Sequence, residues 1–209
     1  MRTVMAALTL LLATAASAQE WGFDEFMRQR ALVQSARAKF TELRRVPSAN
    51  SSEKTSGVLI YRAPDHLERQ TTMPYQETAV VKNDRITLEF EVTEGVVSRR
   101  EFALTQVPGM RPFFVALRAL LAGDTETLQQ AFRVEMQGSA PDWKMKLLPR
   151  NGADQPVRDI RVLGRGDEIR VIELRQKNGD TLRTTLTPES QELKTPSKGD
   201  SAPAPADAR

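Results

Sequence analysis

The segment SGVLIYRAPDHLERQ, Ser56 to Gln70, predicts two β-strands joined by a proline bend. Residues 57–61 are apolar without interruption, and alternation along a strand places Arg62 on the same face as Val58 and Ile60. The residue before a proline disfavours helix, so the chain bends after the arginine and then resumes as a strand. A strand that is apolar on both faces is usually covered on both faces. The segment therefore indicates a sheet that either holds something on its second face or forms part of a sandwich core.

Further strands are predicted on both sides of this segment. Residues 86–92 alternate strictly, with Leu88 and Phe90 on the inward face, which is the clearest half-buried strand of the sequence. The Asn178-Gly179 pair is a strong hairpin signal between the last two strands. The other predicted strands cover residues 78–82, 96–104, 132–137, 143–148, 157–163, 168–174 and 181–187.

Helical spacing of apolar residues occurs in two segments, and a short polar helical stretch follows at residues 125–131. Residues 21–43 carry Phe26, Val33 and Phe40 at helical spacing, with charged side chains mainly on other faces. Residues 113–122 are apolar nearly all round, so this helix must be covered on most sides. The predicted fold class is mainly β (α+β): an open, strongly curved antiparallel half-barrel with helices covering its concave face.

Both ends of the chain are predicted to lie outside the folded domain. Residues 1–18 have the layout of a cleavable secretory signal peptide, with a positive start, a short apolar core and small residues before Gln19. The apolar core is too short for a bilayer span. Residues 189–209 are rich in Lys, Ser, Pro, Ala and Asp and are predicted to be a disordered tail. One domain remains over residues 19–188, and the exported mature protein is expected to be soluble.

The composition excludes several classes of function. The chain has no cysteine and a single histidine, His66, so thiol nucleophiles, thiolate metal sites and histidine clusters are impossible. Nucleotide-binding and hydrolase motifs are absent from the sequence. We therefore expect no catalytic residue, no metal site and no cofactor. The net charge of +3 is spread along the chain, which argues against nucleic-acid binding.

The order of these features resembles the family of LolA, the periplasmic carrier of outer-membrane lipoproteins. The resemblance rests on a leading helix ending near Phe40, the strand pair of residues 56–70, the helix in PFFVALRALLAGD (residues 112–124), the strand WKMKLLPR (residues 143–150) and the final hairpin. It implies a bent sheet whose helices form a lid over an apolar hollow for acyl chains. It also implies a monomeric periplasmic carrier that takes an acylated lipoprotein or lipid from an inner-membrane donor complex to an outer-membrane acceptor.

The resemblance also assigns functional residues. Arg62 matches a family arginine that holds the closed lid by hydrogen bonds, although here Ala63 separates it from the proline. The alternative is that Arg62 lies at the strand rim and pairs with a carboxylate such as Glu77. The expected acyl-chain lining consists of Val58, Ile60, Leu67, Leu88, Phe90, Met110, Phe113, Phe114, Leu117, Leu120 and Leu121.

Two other functions are compatible with the same sequence. One is a regulatory binding module similar to the RseB-type periplasmic sensors, which bind a membrane regulator. The other is an interaction domain whose hollow is filled by its own side chains, so that the apolar helix of residues 113–122 is ordinary core.

Overall fold

The computed structural model describes residues 21–93, 95–106, 111–151 and 156–194. Within these residues there are three α-helices: α1 (Phe23–Ala31), α2 (Arg111–Ala122) and α3 (Thr125–Ala131). The strands are β1 (Val33–Val46), β2 (Ser51–Arg62), β3 (His66–Met73), β4 (Glu77–Lys82), β5 (Arg85–Thr93), β6 (Val96–Ala103), β7 (Phe132–Ser139), β8 (Asp142–Pro149), β9 (Val157–Arg165), β10 (Glu168–Gln176) and β11 (Thr181–Leu193). The predicted signal peptide, Met110 and residues 195–209 lie outside the described residues.

All eleven described strands belong to one open antiparallel sheet. Their order is β6-β5-β4-β3-β2-β1-β11-β10-β9-β8-β7. Strands that are consecutive in sequence are therefore neighbours in the sheet except β6 and β7, and β1 also pairs with β11. The edges are β6 and β7, and the segment that joins these two edges carries α2 and α3. This arrangement confirms the predicted mainly β, open antiparallel fold with helices lying against the sheet. None of the helices in the described ranges is long and apolar enough to cross a membrane.

The predicted helix over residues 21–43 is wrong beyond Ala31. The helix α1 ends there, and the chain continues as the long central strand β1. Val33, Ala36 and Phe40 fit helical spacing, but Ala36 and Phe40 also fall on one face of a strand. As a strand, this segment is hydrogen-bonded along most of its length to a neighbour on each side. These long-range partners outweigh the local helical pattern.

The first residues of the predicted tail belong to the sheet. β11 continues through Pro188 to Leu193 and pairs with the beginning of β1. Glu189 accepts a hydrogen bond from Arg37 Nε at 3.0 Å, and its carboxylate lies 3.1 Å from Lys39 Nζ. The domain boundary predicted at residue 188 was therefore too early, because composition did not reveal that a distant strand pairs with this polar stretch.

The helices pack tightly on only one half of the sheet. The main core joins α1, α2 and α3 to β7–β10, and its largest fully buried side chains include Trp143, Phe26 and Phe132. The rings of Phe26 and Trp143 lie 4.7 Å apart. Towards β4 and β5 there is a separate, small buried cluster of Val81, Ile86 and Leu104. The side of the sheet that carries β2–β5 is therefore less completely packed than the side that carries β7–β10.

Gly123 allows α1 and α2 to approach each other closely. It follows α2 with a left-handed backbone (φ +68°), and a Cβ atom added here would collide with the backbone of Met27 and Ala31. Its backbone conformation suits glycine at the end of a helix. Both the positive φ and the close backbone contact therefore require glycine at position 123.

We expect Gly123→Ala to lower the free energy of unfolding by about 3 kcal/mol, since left-handed strain adds to overpacking. Gly166→Ala is the matched control, because Gly166 also has a positive φ (+56°) but has no atom within 4 Å of an added Cβ. The control should lower this free energy by about 1 kcal/mol. Urea unfolding followed by circular dichroism measures both, and equal losses would contradict a specific contact between α1 and the end of α2.

Candidate functional site

A large cavity of about 650 Å³ lies between α2 and one face of the sheet. Its apolar lining consists of Leu59, Leu67, Ala79, Val81, Ile86, Leu88 and Phe102 from β2–β6, Phe113, Phe114 and Leu117 from α2, and Ile172, Leu174 and Leu182 from β10 and β11. β5 and β10 are six positions apart in the sheet, about 29 Å if the sheet were flat. Since both strands line one cavity, the sheet is strongly curved and the cavity occupies its concave side.

A small cavity of about 270 Å³ adjoins the large one, near the end of α2. It lies among α1, α2, β1, β2, β3, β10 and β11, and its apolar lining includes Tyr61, Leu121, Ile169 and Leu186. Leu59, Leu67, Leu117 and Ile172 line both cavities. The two spaces are therefore neighbours divided by a few apolar side chains.

The interior of the protein is not filled by its own side chains. The large cavity falls within the range of about 300–1,000 Å³ that is typical of small-molecule sites. Its walls are mostly apolar, as a site for a hydrocarbon chain requires. The expectation of a filled core is therefore not met on the β2–β5 side of the sheet.

About half of the expected acyl-chain lining is brought together at these cavities. Leu67, Leu88, Phe113, Phe114 and Leu117 line the large cavity. Leu67, Leu117 and Leu121 line the small cavity.

Leu120 and Phe90 were expected at the cavity but do not line it. Leu120 is 1% exposed and packs in the core between α2 and the sheet. Phe90 lies two residues beyond Leu88 on the same face of β5, where the guanidinium of Arg100 is 5.5 Å from its ring centre. Leu120 therefore contributes to the stability of the core, and Phe90 lies beyond the cavity walls.

Val58 and Ile60 were assigned to the wrong face of β2. Leu59 and Tyr61 line the cavities, and alternation places their even-numbered neighbours on the opposite face. Because β2 is apolar on both faces, the sequence does not show which set points inward. A shift of one residue in this choice exchanges the two faces completely.

Arg62 does not latch the lid in this structure. It shares the outer face with Val58 and Ile60, and its Nη1 lies 3.0 Å from His66 Nε2 and 3.3 Å from Glu68 Oε2. The expected alternative partner, Glu77, instead lies 3.6 Å from Arg69. The correction follows from the strand face, because the side chain of Arg62 points away from α2.

The carboxylate of Glu68 is the centre of this outer cluster. Partial burial opposes its ionisation, but hydrogen bonds from Gln70, His66 and Arg62 outweigh that effect and lower its pKa. The cluster therefore favours the charged carboxylate. It is a local polar group on the outer face and forms no part of the cavities.

Two other arginines connect α2 to the rest of the protein. Arg118 on α2 donates a hydrogen bond to Asp84 Oδ1 at 2.9 Å, in the turn between β4 and β5. Arg30 on α1 donates from Nη2 to the carbonyl oxygen of Leu121 at 3.5 Å, near the end of α2. Arg30 therefore makes the kind of contact that was expected of Arg62. The sequence offered no signal for it, since Arg30 is one of several arginines on the predicted first helix.

Arg30 is buried in an unusual environment for a cation. It is 3% exposed, and its Nη1 donates to Gln191 Oε1 at 3.1 Å and to the carbonyl oxygen of Asp167 at 3.4 Å. Burial lowers the pKa of Arg30 from its ordinary value, and the negative charge of Asp167 acts against that shift. Arg30 is one of the residues that line the small cavity.

The large cavity also contains a polar network centred on Arg69. This side chain donates to Glu42 Oε1 at 2.9 Å, to Thr55 Oγ1 at 3.0 Å and to Thr71 Oγ1 at 2.7 Å. Thr184 donates to the second oxygen of Glu42 at 2.6 Å. The guanidinium also lies 4.6 Å from the ring centre of Phe40. Both charges are therefore satisfied within the network, which leaves the apolar surface as the dominant feature of the cavity.

We expect Arg69→Met to lower the free energy of unfolding by about 2–4 kcal/mol, because it leaves the largely buried Glu42 without its cation. Arg99→Met is the matched control, since Arg99 pairs with Glu89 on the surface, where the two side chains are 66% and 42% exposed. The control should lower this free energy by less than about 1 kcal/mol. Urea titrations measure both, and a loss below 1 kcal/mol for Arg69→Met would show that the network does not stabilise the fold.

The structure defines a half-barrel protein with apolar cavities beneath its helices. The chain matches the family model described as outer membrane lipoprotein carrier protein LolA-like over residues 15–200, and it belongs to that family. No curated protein sequence matches the chain.

Similar solved structures have very different sequences. A LolA superfamily protein from Nitrosomonas europaea is 8% identical, with a TM-score of 0.41, over 81% of this chain and 92% of the other. A putative outer membrane lipoprotein-sorting protein domain from Vibrio parahaemolyticus is 9% identical, with a TM-score of 0.36, over 86% and 94% of the two chains. A DUF1329 family protein from Desulfovibrio piger is 9% identical, with a TM-score of 0.31, over 79% and 88%.

Proposed function

We propose that this protein is a periplasmic carrier whose large cavity holds the acyl chains of a lipoprotein or lipid on the way to the outer membrane. The observation that carries the proposal is the apolar cavity of about 650 Å³ beneath α2. Family membership supports it. In this proposal residues 1–18 direct export and are removed, and the mature protein acts as a soluble monomer. An inner-membrane complex loads the carrier and an outer-membrane acceptor unloads it, with no enzymatic step.

The cavity offers enough apolar contact to keep an acyl chain out of water while it is away from a membrane. Each buried CH₂ group contributes about 0.8 kcal/mol, so a chain of about sixteen carbons contributes on the order of 10 kcal/mol before the costs of binding. The energy is distributed along the chain and does not require one strong contact. Such a site suits a carrier, because hydrocarbon can be transferred gradually to the next apolar surface.

The first half of α2 is the part that we propose moves to admit the ligand. Phe113 and Phe114 line the large cavity at the border of the main core, whereas Ala119 and Leu120 pack in that core and do not line the cavity. α2 is joined to the turn between β4 and β5 by the pair of Arg118 and Asp84, whose side chains are 33% and 70% exposed. An exposed pair of this kind contributes about 0–1 kcal/mol. The apolar contacts that close the cavity are therefore the main resistance, and an acyl chain replaces them.

The proposal predicts that filling the cavity weakens acyl-chain binding. Ala79→Trp places a large side chain into the large cavity, which Ala79 lines. We expect about a tenfold or larger loss of affinity, which corresponds to about 1.4 kcal/mol. Val80→Trp is the matched control, since it adds the same side chain at the next position of β4, on the opposite face. The control should bind within about twofold of the wild type.

The binding measurement uses the mature protein with two probes, a synthetic triacylated lipopeptide and a diacyl phospholipid, and the lipopeptide without its acyl chains as a blank. Circular dichroism is used to check that both variants are folded. Binding of the lipopeptide supports lipoprotein carriage, and binding of the phospholipid alone supports lipid carriage. If neither acylated probe binds, or if the two tryptophan variants bind equally, the proposed function is wrong. A stable complex with a membrane regulator in place of acyl binding would favour a sensor.

A further inference from the structure

Most of the exposed large apolar side chains lie at one end of the sheet. In the described chain these side chains are Leu32, Met73, Tyr75, Val92, Val96, Val97 and Leu193. Met73 and Tyr75 lie at the turn between β3 and β4, and the three valines lie at the turn between β5 and β6. Alternate turns of an antiparallel sheet share one end, so these two turns form a single apolar rim. Exposed apolar patches of this kind mark surfaces that contact a partner.

The most exposed part of this rim is the valine tip, which consists of Val92, Val96 and Val97. Their side chains are 61%, 57% and 66% exposed. Val96 and Val97 are consecutive residues of β6, so one points to each face of the hairpin. A flat protein surface would cover only one of these faces. Lipid surrounds an inserted hairpin on all sides, and the tip therefore fits a lipid surface.

An apolar path connects the valine tip to the large cavity. Leu88 lines the cavity, and Phe90 follows on the same face of β5. Phe90 pairs with Ser98 on β6, and Val96 lies two residues from Ser98 on that face. From Leu88 the strand continues to its end at Thr93, a length of about 17 Å. Hydrocarbon that leaves a membrane at the tip therefore has apolar contacts on the way to the cavity.

The charges near the tip favour apolar docking over electrostatic docking. Arg99 pairs with Glu89 at 3.1 Å, and Glu91 accepts a hydrogen bond from the backbone N–H of Gly95 at 2.8 Å. Segments that bind anionic lipids by charge contain about four or more basic residues in a cluster. β5 and β6 together contain three arginines, and one of them is Arg99. The hairpin should therefore bind zwitterionic lipid without help from anionic lipid.

We propose that the valine tip inserts into the surface of a lipid bilayer and docks the protein there. The tip enters the interfacial layer of the bilayer, where binding strength scales with the buried apolar area. Because the tip is small, docking is reversible, as a carrier that must leave the membrane requires. This inference goes beyond the proposed function, since docking by the tip does not require that the cavity hold an acyl chain.

A single dye reports whether the tip enters the bilayer. The chain has no cysteine, so Val97→Cys gives a unique site for the environment-sensitive dye NBD. Leu193→Cys is the matched control, since Leu193 is 54% exposed but lies at the opposite end of the sheet, paired with the beginning of β1. When the mature protein meets phosphatidylcholine vesicles, NBD at position 97 should brighten and shift to shorter wavelength. NBD at position 193 should not change.

The combined substitution Val96→Ser and Val97→Ser should lower the affinity for these vesicles by about tenfold or more, because it removes apolar area from the tip. Leu32→Ser combined with Leu193→Ser is the matched control, since it removes two exposed apolar side chains away from the tip. The control should bind the vesicles like the wild type. Cosedimentation with vesicles measures the affinities, and circular dichroism is used to check that the variants are folded.

The outcomes separate this inference from the proposed function. If the wild type does not bind vesicles, the rim contacts a protein and the docking site is wrong. Equal binding by the serine variants of the tip, or an unchanged dye at position 97, also overturns it. So does binding that disappears in about 1 M salt, because salt screens charges and leaves apolar contacts intact. The cavity variant Ala79→Trp should dock like the wild type, so acyl-chain binding and docking succeed or fail separately.

Discussion

The contact between α1 and β8 determines where the helices lie. Trp143 packs against Phe26 at 4.7 Å and donates from Nε1 to the carbonyl oxygen of Gly166 at 2.8 Å. Gly164 lies beside the same indole, and a Cβ atom there would collide with it. The helices are thereby held on the β7–β10 half of the sheet. Because the sheet curves away, they cannot pack equally closely on β2–β5, and the large cavity lies in the space between.

The two halves of the sheet, β2–β5 and β7–β10, therefore contribute differently to the protein. The chain has no cysteine, so no disulfide supports the fold, and packing must supply its stability. On the β7–β10 half, Trp143, Leu147 and Ile160 are each at most 1% exposed. This dense packing compensates for the cavity, since a void in a protein interior forfeits contacts that a filled core would make. The β2–β5 half can leave a cavity beneath α2 because the β7–β10 half holds α1 and α2 in place.

Local signals in the sequence predicted most of the fold but not the orientation of its functional side chains. Strand alternation and turn residues located ten strands, and the apolar stretch located α2. β1 was missed because its position depends on partners in β11, which a local pattern does not contain. The inward face of β2 was misassigned because both faces are apolar. The lid contact expected of Arg62 was wrong for the same reason. The resemblance to the family matched its place in the sequence but did not show which face of β2 it lies on.

The half-buried Arg69 and the buried Arg30 are held in the interior in different ways. Arg69 and Glu42 lie on β3 and β1, whose places in the sheet bring them together, so their charges cancel on the cavity wall. Arg30 comes from α1, and the negative charge that acts on it is that of Asp167, whose carboxylate is hydrogen-bonded to the neutral amide of Gln191. The pairing of Arg69 with Glu42 leaves the apolar surface of the large cavity available to hydrocarbon. Two arginines and three carboxylates line each cavity, so volume, not charge, distinguishes what each cavity can hold.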